Sequence, residues 1–299
     1  MQFYRSLFWN LCLGIFLLLC SAAPALADPG NDRPASFEQA IAALQQGNYA
    51  AAKAGFSEAI DLNQQVAAAY ANRCLVHLHL EQYEPAIADC SHSLELQPSN
   101  REVYLNRGLA YYRLGNYPAA IADDTTFLAQ SPEDGRGYFN RGLARAATGA
   151  YREAMADFNL ALLQPATPAD TLADFHVERG LTQLALVNLT AAIADFDAAI
   201  QLNPQHERAY YNRGCLQGRQ GNYLAAIADL NQALHLNPGN PEAHLDRGVA
   251  HYNLGNTGQA LKDLKQAAAV FQSQGRQVAY QHVVGLMQQI RQTQESIVT

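Results

Sequence analysis

Small residues punctuate this chain at a near-constant step. Ala recurs as Ala52, Ala86, Ala120, Ala154, Ala192, Ala226 and Ala260. A second small position carries Ala40, Cys74, Gly108, Gly142, Gly180, Gly214 and Gly248. The string Ala-Ile-Ala-Asp runs through 86–89, 120–123, 192–195 and 226–229. A polar position keeps the same beat: Arg73, Arg107, Arg141, Arg179, Arg213 and Arg247, with gaps of 34, 34, 38, 34 and 34. A fixed period of this size is the mark of one supersecondary unit stacked on copies of itself.

Starting each unit six residues before its Arg gives repeats 67–100, 101–134, 135–168, 173–206, 207–240 and 241–274. A weaker first copy fits 33–66, and 169–172 is a short insertion. Each unit reads helix, turn, helix. The small residues at positions 8 and 20 let two antiparallel helices approach closely, and a Gly in mid-helix costs about 1 kcal/mol against Ala, so its recurrence points to a steric need. Between the helices lies Leu-Gly-Asn-Tyr or a variant, as at 114–117. The Gly stops the first helix. Pro98, Pro132, Pro204 and Pro238 stop the second. Ser36 and Gln39 suit a capping box at the start of the array. At its far end Tyr280, Val283, Val284, Met287 and Ile290 form one apolar stripe, predicting a cap helix over 276–293 that covers the last repeat.

In its sixth repeat the chain carries Tyr210, Gly214, Tyr223, Ala226, Leu230, Ala233 and Pro238. On this pattern it resembles the tetratricopeptide repeat family over residues 33–274. The resemblance implies an all-α, right-handed α-solenoid of about seven helix-turn-helix repeats with a C-terminal capping helix. It also implies a concave groove lined by first-helix positions 2, 5, 6, 9, 12 and 13, binding a peptide segment or protein surface. Position 6 then supplies an Asn ladder, Asn72, Asn106, Asn140 and Asn212, and position 5 supplies Leu105, Phe139, Tyr211 and Leu245 as apolar anchors. A carboxamide offers donors and an acceptor to a peptide group. The ladder breaks at Glu38, Glu178 and Asp246. The family's clamp for chaperone carboxylates, with Lys at position 2 and Arg at position 6 of one repeat, is absent.

Position 23 faces the recurrent Arg with Asp89, Asp123, Asp157, Asp195, Asp229 and Asp263. The first repeat has Gln39 and Gly55 instead, losing both members together. This predicts an ion pair inside each later repeat that fixes helix register. Cys74 and Cys90, at positions 8 and 24 of one repeat, face each other as a candidate disulfide; the alternative is two small core fillers. His77 beside Cys74 leaves a fourth ligand missing, so no metal site is expected. Asp124 and Phe127 depart from the pattern of the other repeats, predicting local repacking.

Leu11 to Leu19 is an uncharged apolar run, followed by Ala25-Leu26-Ala27. This predicts a signal peptide at 1–27, cleaved after Ala27, then a linker at 28–35. The destination is the periplasm, the lumen of thylakoids should the source be a photosynthetic bacterium, or the medium. The alternative is a membrane-tethered assembly factor that retains the segment as anchor and works from its convex surface. The net charge of −7, with 16% charged residues, excludes a nucleic-acid partner, because phosphate binding needs clustered cations. No nucleophile motif, phosphate loop or metal-ligand pair is present, so the expectation is a non-enzymatic adaptor with a protein or peptide partner and no cofactor.

Overall fold

The computed structural model describes residues 36–164 and 168–298. The expected signal peptide and linker lie outside the described residues. Every regular element among the described residues is helical, and they number fifteen. The first helices of successive repeats are α1 (Ser36–Gln45), α3 (Val66–His79), α5 (Arg101–Arg113), α7 (Gly135–Ala147), α9 (Ala169–Ala185), α11 (Glu207–Arg219) and α13 (Pro241–Asn253). The second helices are α2 (Tyr49–Asp61), α4 (Tyr83–Leu96), α6 (Tyr117–Gln130), α8 (Tyr151–Leu162), α10 (Leu189–Leu202), α12 (Tyr223–Leu236) and α14 (Thr257–Ser273), and the cap is α15 (Gln277–Val298). The insertion at 169–172 is not a loop but the first turn of α9, which is therefore 17 residues long.

The chain divides into two compact units, one ending at Thr148 and one beginning at Gly149. In each, a first helix packs on its own second helix and that second helix packs on the next first helix. First helices also touch one another directly, α1 with α3, α3 with α5 and α5 with α7 in the first unit, and α9 with α11 and α11 with α13 in the second. No comparable contact joins successive second helices among the described residues. The first helices therefore form the tighter, inner side of each unit.

Size complementarity explains the helix pairing. All seven Ala at position 20 are fully buried. Position 8 meets position 24, so a small residue on one helix receives a large one from the other. A Cβ added at Gly180 would stand 2.8 Å from the Phe196 ring. Phe56, Phe158 and Phe196 fill position 24, and each such burial contributes about 1.5–3 kcal/mol. The third repeat solves the same problem differently. Position 24 is the small, buried Asp124, and the volume moves to Phe127, which is fully buried over Gly137 of the next repeat. A Cβ at Gly137 would lie 2.5 Å from that ring. At the next junction the sizes are exchanged, with Ala161 before Phe175.

The turns need a left-handed residue at position 15. Gly115, Gly149, Gly221 and Gly255 supply it with φ between 77° and 83°. Glu81 and Val187 hold the same place at φ 56° and 64°. For Val, with its branched Cβ, this conformation is strained.

Candidate protein-interaction surface

The recurrent Arg organises each repeat. Arg73 Nε and Nη2 donate to the two carboxylate oxygens of Asp89, each at 2.7 Å. Arg107 and Asp123 repeat this fork at 2.8 Å, and Arg213–Asp229 and Arg247–Asp263 follow at 2.6–2.8 Å. Arg179 is likewise held by Asp195. Burial opposes the charge of Asp195, but hydrogen bonds from His176 and Arg179 outweigh it and hold its carboxyl below the usual range. Arg141 lies in the first unit and the buried Asp157 in the second. In the first repeat the helices close directly, with Gly55 over Ala40.

Each guanidinium also has a partner one repeat back that sequence reasoning missed. Nη1 reaches back to position 25 of the preceding repeat: Arg73 to Ser57, Arg107 to Ser91, Arg141 to Thr125, Arg179 to Asn159, Arg213 to Asp197 and Arg247 to Asn231. The Arg is thus a three-helix clamp across the repeat junction. Its flat face is used as well. Tyr70, Tyr104, Tyr138 and Tyr210 at position 4 lie under the guanidinium of their repeat at 5.3–5.8 Å. Where position 4 is His176, its ring nitrogen bonds the position-23 carboxylate instead.

On the inner face, the eight expected groove residues separate into kinds. Leu105, Phe139 and Tyr211 are buried, at 6%, 8% and 9% exposure. Leu245 is half-buried against the cluster of Leu264, Phe271 and Val283. Phe139 and Tyr211 are therefore core side chains at the base of this face, and truncating either would open a cavity rather than remove an exposed anchor. Asn72 and Asn212 are also buried and fold back on their own helices, donating from Nδ2 to the carbonyls of Ala68 and Arg208 at 2.8 and 2.7 Å. Asn106 and Asn140 differ. They sit at the same position of adjacent repeats, half-exposed, and neither carboxamide is hydrogen-bonded to a described residue.

Where the Asn series is interrupted in the second unit, an acid is satisfied internally. Glu178, 2% exposed, accepts from Arg208 at 2.6 Å. Asp246 is pushed by burial up to about 6, although it accepts a hydrogen bond from Tyr211 and lies near Arg219. Burial also pushes the free Cys215 thiol up to about 12, which keeps it protonated at neutral pH. Cys74 and Cys90 are joined by a disulfide, with Cα atoms 5.4 Å apart and 16 residues of separation. Among the described residues no group of three His, Cys, Asp or Glu side chains is placed to hold a metal ion. Nor is any described helix long and apolar enough to cross a membrane.

Several solved structures share this architecture. A tetratricopeptide repeat protein from Parabacteroides merdae superposes with a TM-score of 0.66 at 18% identity, covering 83% of this chain and 97% of its own. PilW, described as a widely conserved type IV pilus biogenesis factor, gives 0.66 at 19% identity over 74% of this chain and 99% of its own. YrrB, described as a TPR protein with an unusual peptide-binding site, gives 0.50 at 19% identity over 66% of this chain and 97% of its own. At these identities the likeness is one of fold. No curated protein matches the chain. The tetratricopeptide repeat family profile matches residues 37–101, 91–125, 105–171 and 211–275. Repeats of this family generally serve as protein-interaction modules. By that match, which spans more than half its length, the chain belongs to the tetratricopeptide repeat family.

Proposed function

We propose that the chain is a non-enzymatic adaptor that takes an extended peptide segment of a partner protein on the inner face of its first unit. The observation that carries this reading is the pair Asn106 and Asn140. Two half-exposed carboxamides, one repeat apart, keep their donors and acceptors unspent, while their equivalents Asn72 and Asn212 are bonded within their own helices. A peptide backbone presents the matching alternation of C=O and N–H. Half-buried Leu109 and Tyr112 on the same helix as Asn106 add apolar area beside it. We further propose that the chain is exported, with the mature form beginning at Asp28. The Ala25-Leu26-Ala27 signal supports this, and the Cys74–Cys90 bridge suits an oxidising compartment.

The test is a pull-down with the mature chain as bait, followed by titration of the recovered partner. Replacing Asn106 and Asn140 together by Ala should weaken binding about tenfold or more with helicity and melting unchanged. Substitutions on second helices, Glu153→Ala with Gln232→Ala, should leave it intact. If the second-helix pair abolishes binding and the Asn pair does not, the partner is held on the outer surface and the reading is wrong.

A further inference from the structure

Each unit carries an arginine at position 2 of a first helix, and the two are wired differently. In the second unit Arg208 begins the sixth repeat. Its Nη2 donates at 2.6 Å to Glu178, which stands at position 6 of the fifth repeat. The guanidinium thus covers the place that the Asn series holds elsewhere, and Glu178 is buried beside it. In the first unit Arg136 begins the fourth repeat. It stands as far along the chain from Asn106 as Arg208 does from Glu178, a step of 30 residues. Yet Arg136 does not turn to Asn106. Nε and Nη2 donate to Asp134 at 3.0 and 2.7 Å, and Nη1 and Nη2 donate to the two oxygens of Glu102 at 3.1 and 3.0 Å. Phe127 lies under the guanidinium at 5.8 Å. Every nitrogen of Arg136 is therefore engaged by carboxylates at positions 34 and 2. Burial opposes the charge of Asp134, but its bonds from Arg136 outweigh it and hold its carboxyl below the usual range. Asp134 is thus ionised at neutral pH and keeps its hold. The second unit is wired otherwise at these positions. Position 34 is His206, whose Nδ1 accepts from the Ala209 N–H and whose Nε2 bonds Asp174 at position 2, at 3.0 Å. With that acid taken by His206, Arg208 turns to Glu178.

We propose that Asp134 and Glu102 are positioning residues, which withdraw Arg136 from Asn106 and so keep the inner face of the first unit open to a peptide. This rests on the reading that Asn106 and Asn140 form the peptide site. Released by both acids, a guanidinium at position 2 has the reach to position 6 that Arg208 displays, and the acceptor it meets there is Asn106 Oδ1. A hydrogen bond from a charged donor then competes with the peptide for that carboxamide. Glu102 and Asn106 lie one turn apart on α5, as Arg136 and Asn140 do on α7, so the ion pair and the two carboxamides share one side of the helix pair.

The test reads Asn106 directly in the full chain. Its side-chain amide signals are identified in a nitrogen–proton correlation spectrum by their loss in Asn106→Ala. The acids are then released together in Glu102→Met with Asp134→Asn, where Asn retains the bond that Asp134 accepts from the Arg136 N–H at the start of α7. In that double variant Arg136 should turn to Oδ1 and shift the Asn106 signals, and adding Arg136→Met should return them to their wild-type positions. Binding is read by fluorescence anisotropy with peptides enriched from a phage-displayed random library on the wild-type chain and lost in the Asn106→Ala, Asn140→Ala variant. Their affinity should fall about tenfold in the double variant and recover in the triple, a rescue that a merely structural role of the two acids would not give. Circular dichroism checks that each variant folds. Asn106 signals that stay in place in the double variant, or an affinity that Arg136→Met fails to restore, overturn the proposal. If no enriched peptide depends on the two Asn, the peptide reading fails by itself, and the Asn106 signals still decide whether the acids hold Arg136 away.

Discussion

The two units are built from the same repeat, yet their inner faces and turn edges are used differently. In the first unit the inner face keeps two carboxamides without partners, Asn106 and Asn140, while the turn edge mixes Glu81, Glu84 and Pro118 with the exposed Leu114. In the second, the inner face is closed on itself through Glu178–Arg208 and Tyr211–Asp246, while the turn edge is apolar around Leu224 and Leu254. The clamp of Arg, Asp and position 25 is shared by both units. The lesson is that the residues which build the repeat are separate from those that make it particular. Binding character can therefore be altered unit by unit without touching the framework.

Three experiments press on this difference. The largest effect is expected from the disulfide, which only the first unit contains. Closing a loop of 16 residues is worth about 3 kcal/mol. Reduction, or Cys74→Ala with Cys90→Ala, should lower the stability of the first unit and leave the second unchanged, giving two separated steps in urea followed by fluorescence. A single step shifted as a whole would show that the units unfold together.

Next in size is the response to pH. Asp246 has its folded-state value raised to about 6, above the ordinary value near 4. Between those values the folded chain binds the extra proton, so stability is greatest at the acid end and falls as pH rises through about 6. Asp246→Asn should remove that fall and raise stability at pH 7 by about 1–2 kcal/mol, measured as the midpoint of urea unfolding at pH 5 and pH 7. In the first unit Asp134, which accepts from Arg136, is shifted downwards instead. The smallest effect concerns Val187. Replacement by Gly, the residue of the neighbouring turns, should raise stability by about 1 kcal/mol through relief of the left-handed strain. If stability drops instead, the Val side chain is making contacts that favour the folded chain.

What the sequence made legible was whatever recurs as an identity. Arg and Asp at positions 7 and 23 announce themselves by repeating, and the cap helix by its apolar stripe. Position 25 escaped notice because it recurs as a property. Ser57, Thr125, Asn159 and Asp197 share only an oxygen that accepts a hydrogen bond. The burial of Phe139 and Tyr211 was hidden for another reason. Position 5 of a first helix lies at the rim between the inner face and the core, and neighbouring repeats decide which it joins. The displacement of volume from position 24 to Phe127 required seeing that Gly137 belongs to the next repeat.

The clamp also bears on how such an array changes length over generations. Each internal junction pairs an arginine with an oxygen acceptor supplied from one repeat back. Duplicating or deleting a whole period anywhere between Arg73 and Asn231 would return the same chemistry at the new seam. After the seventh repeat the pattern stops: position 25 is Lys265, and the helix that follows carries Gln281 where the arginine would stand. A copy grafted there would set one cation against another. Growth by recombination is thus open in the interior and blocked at that seam, and repeat number becomes a heritable variable that leaves the terminating helix untouched.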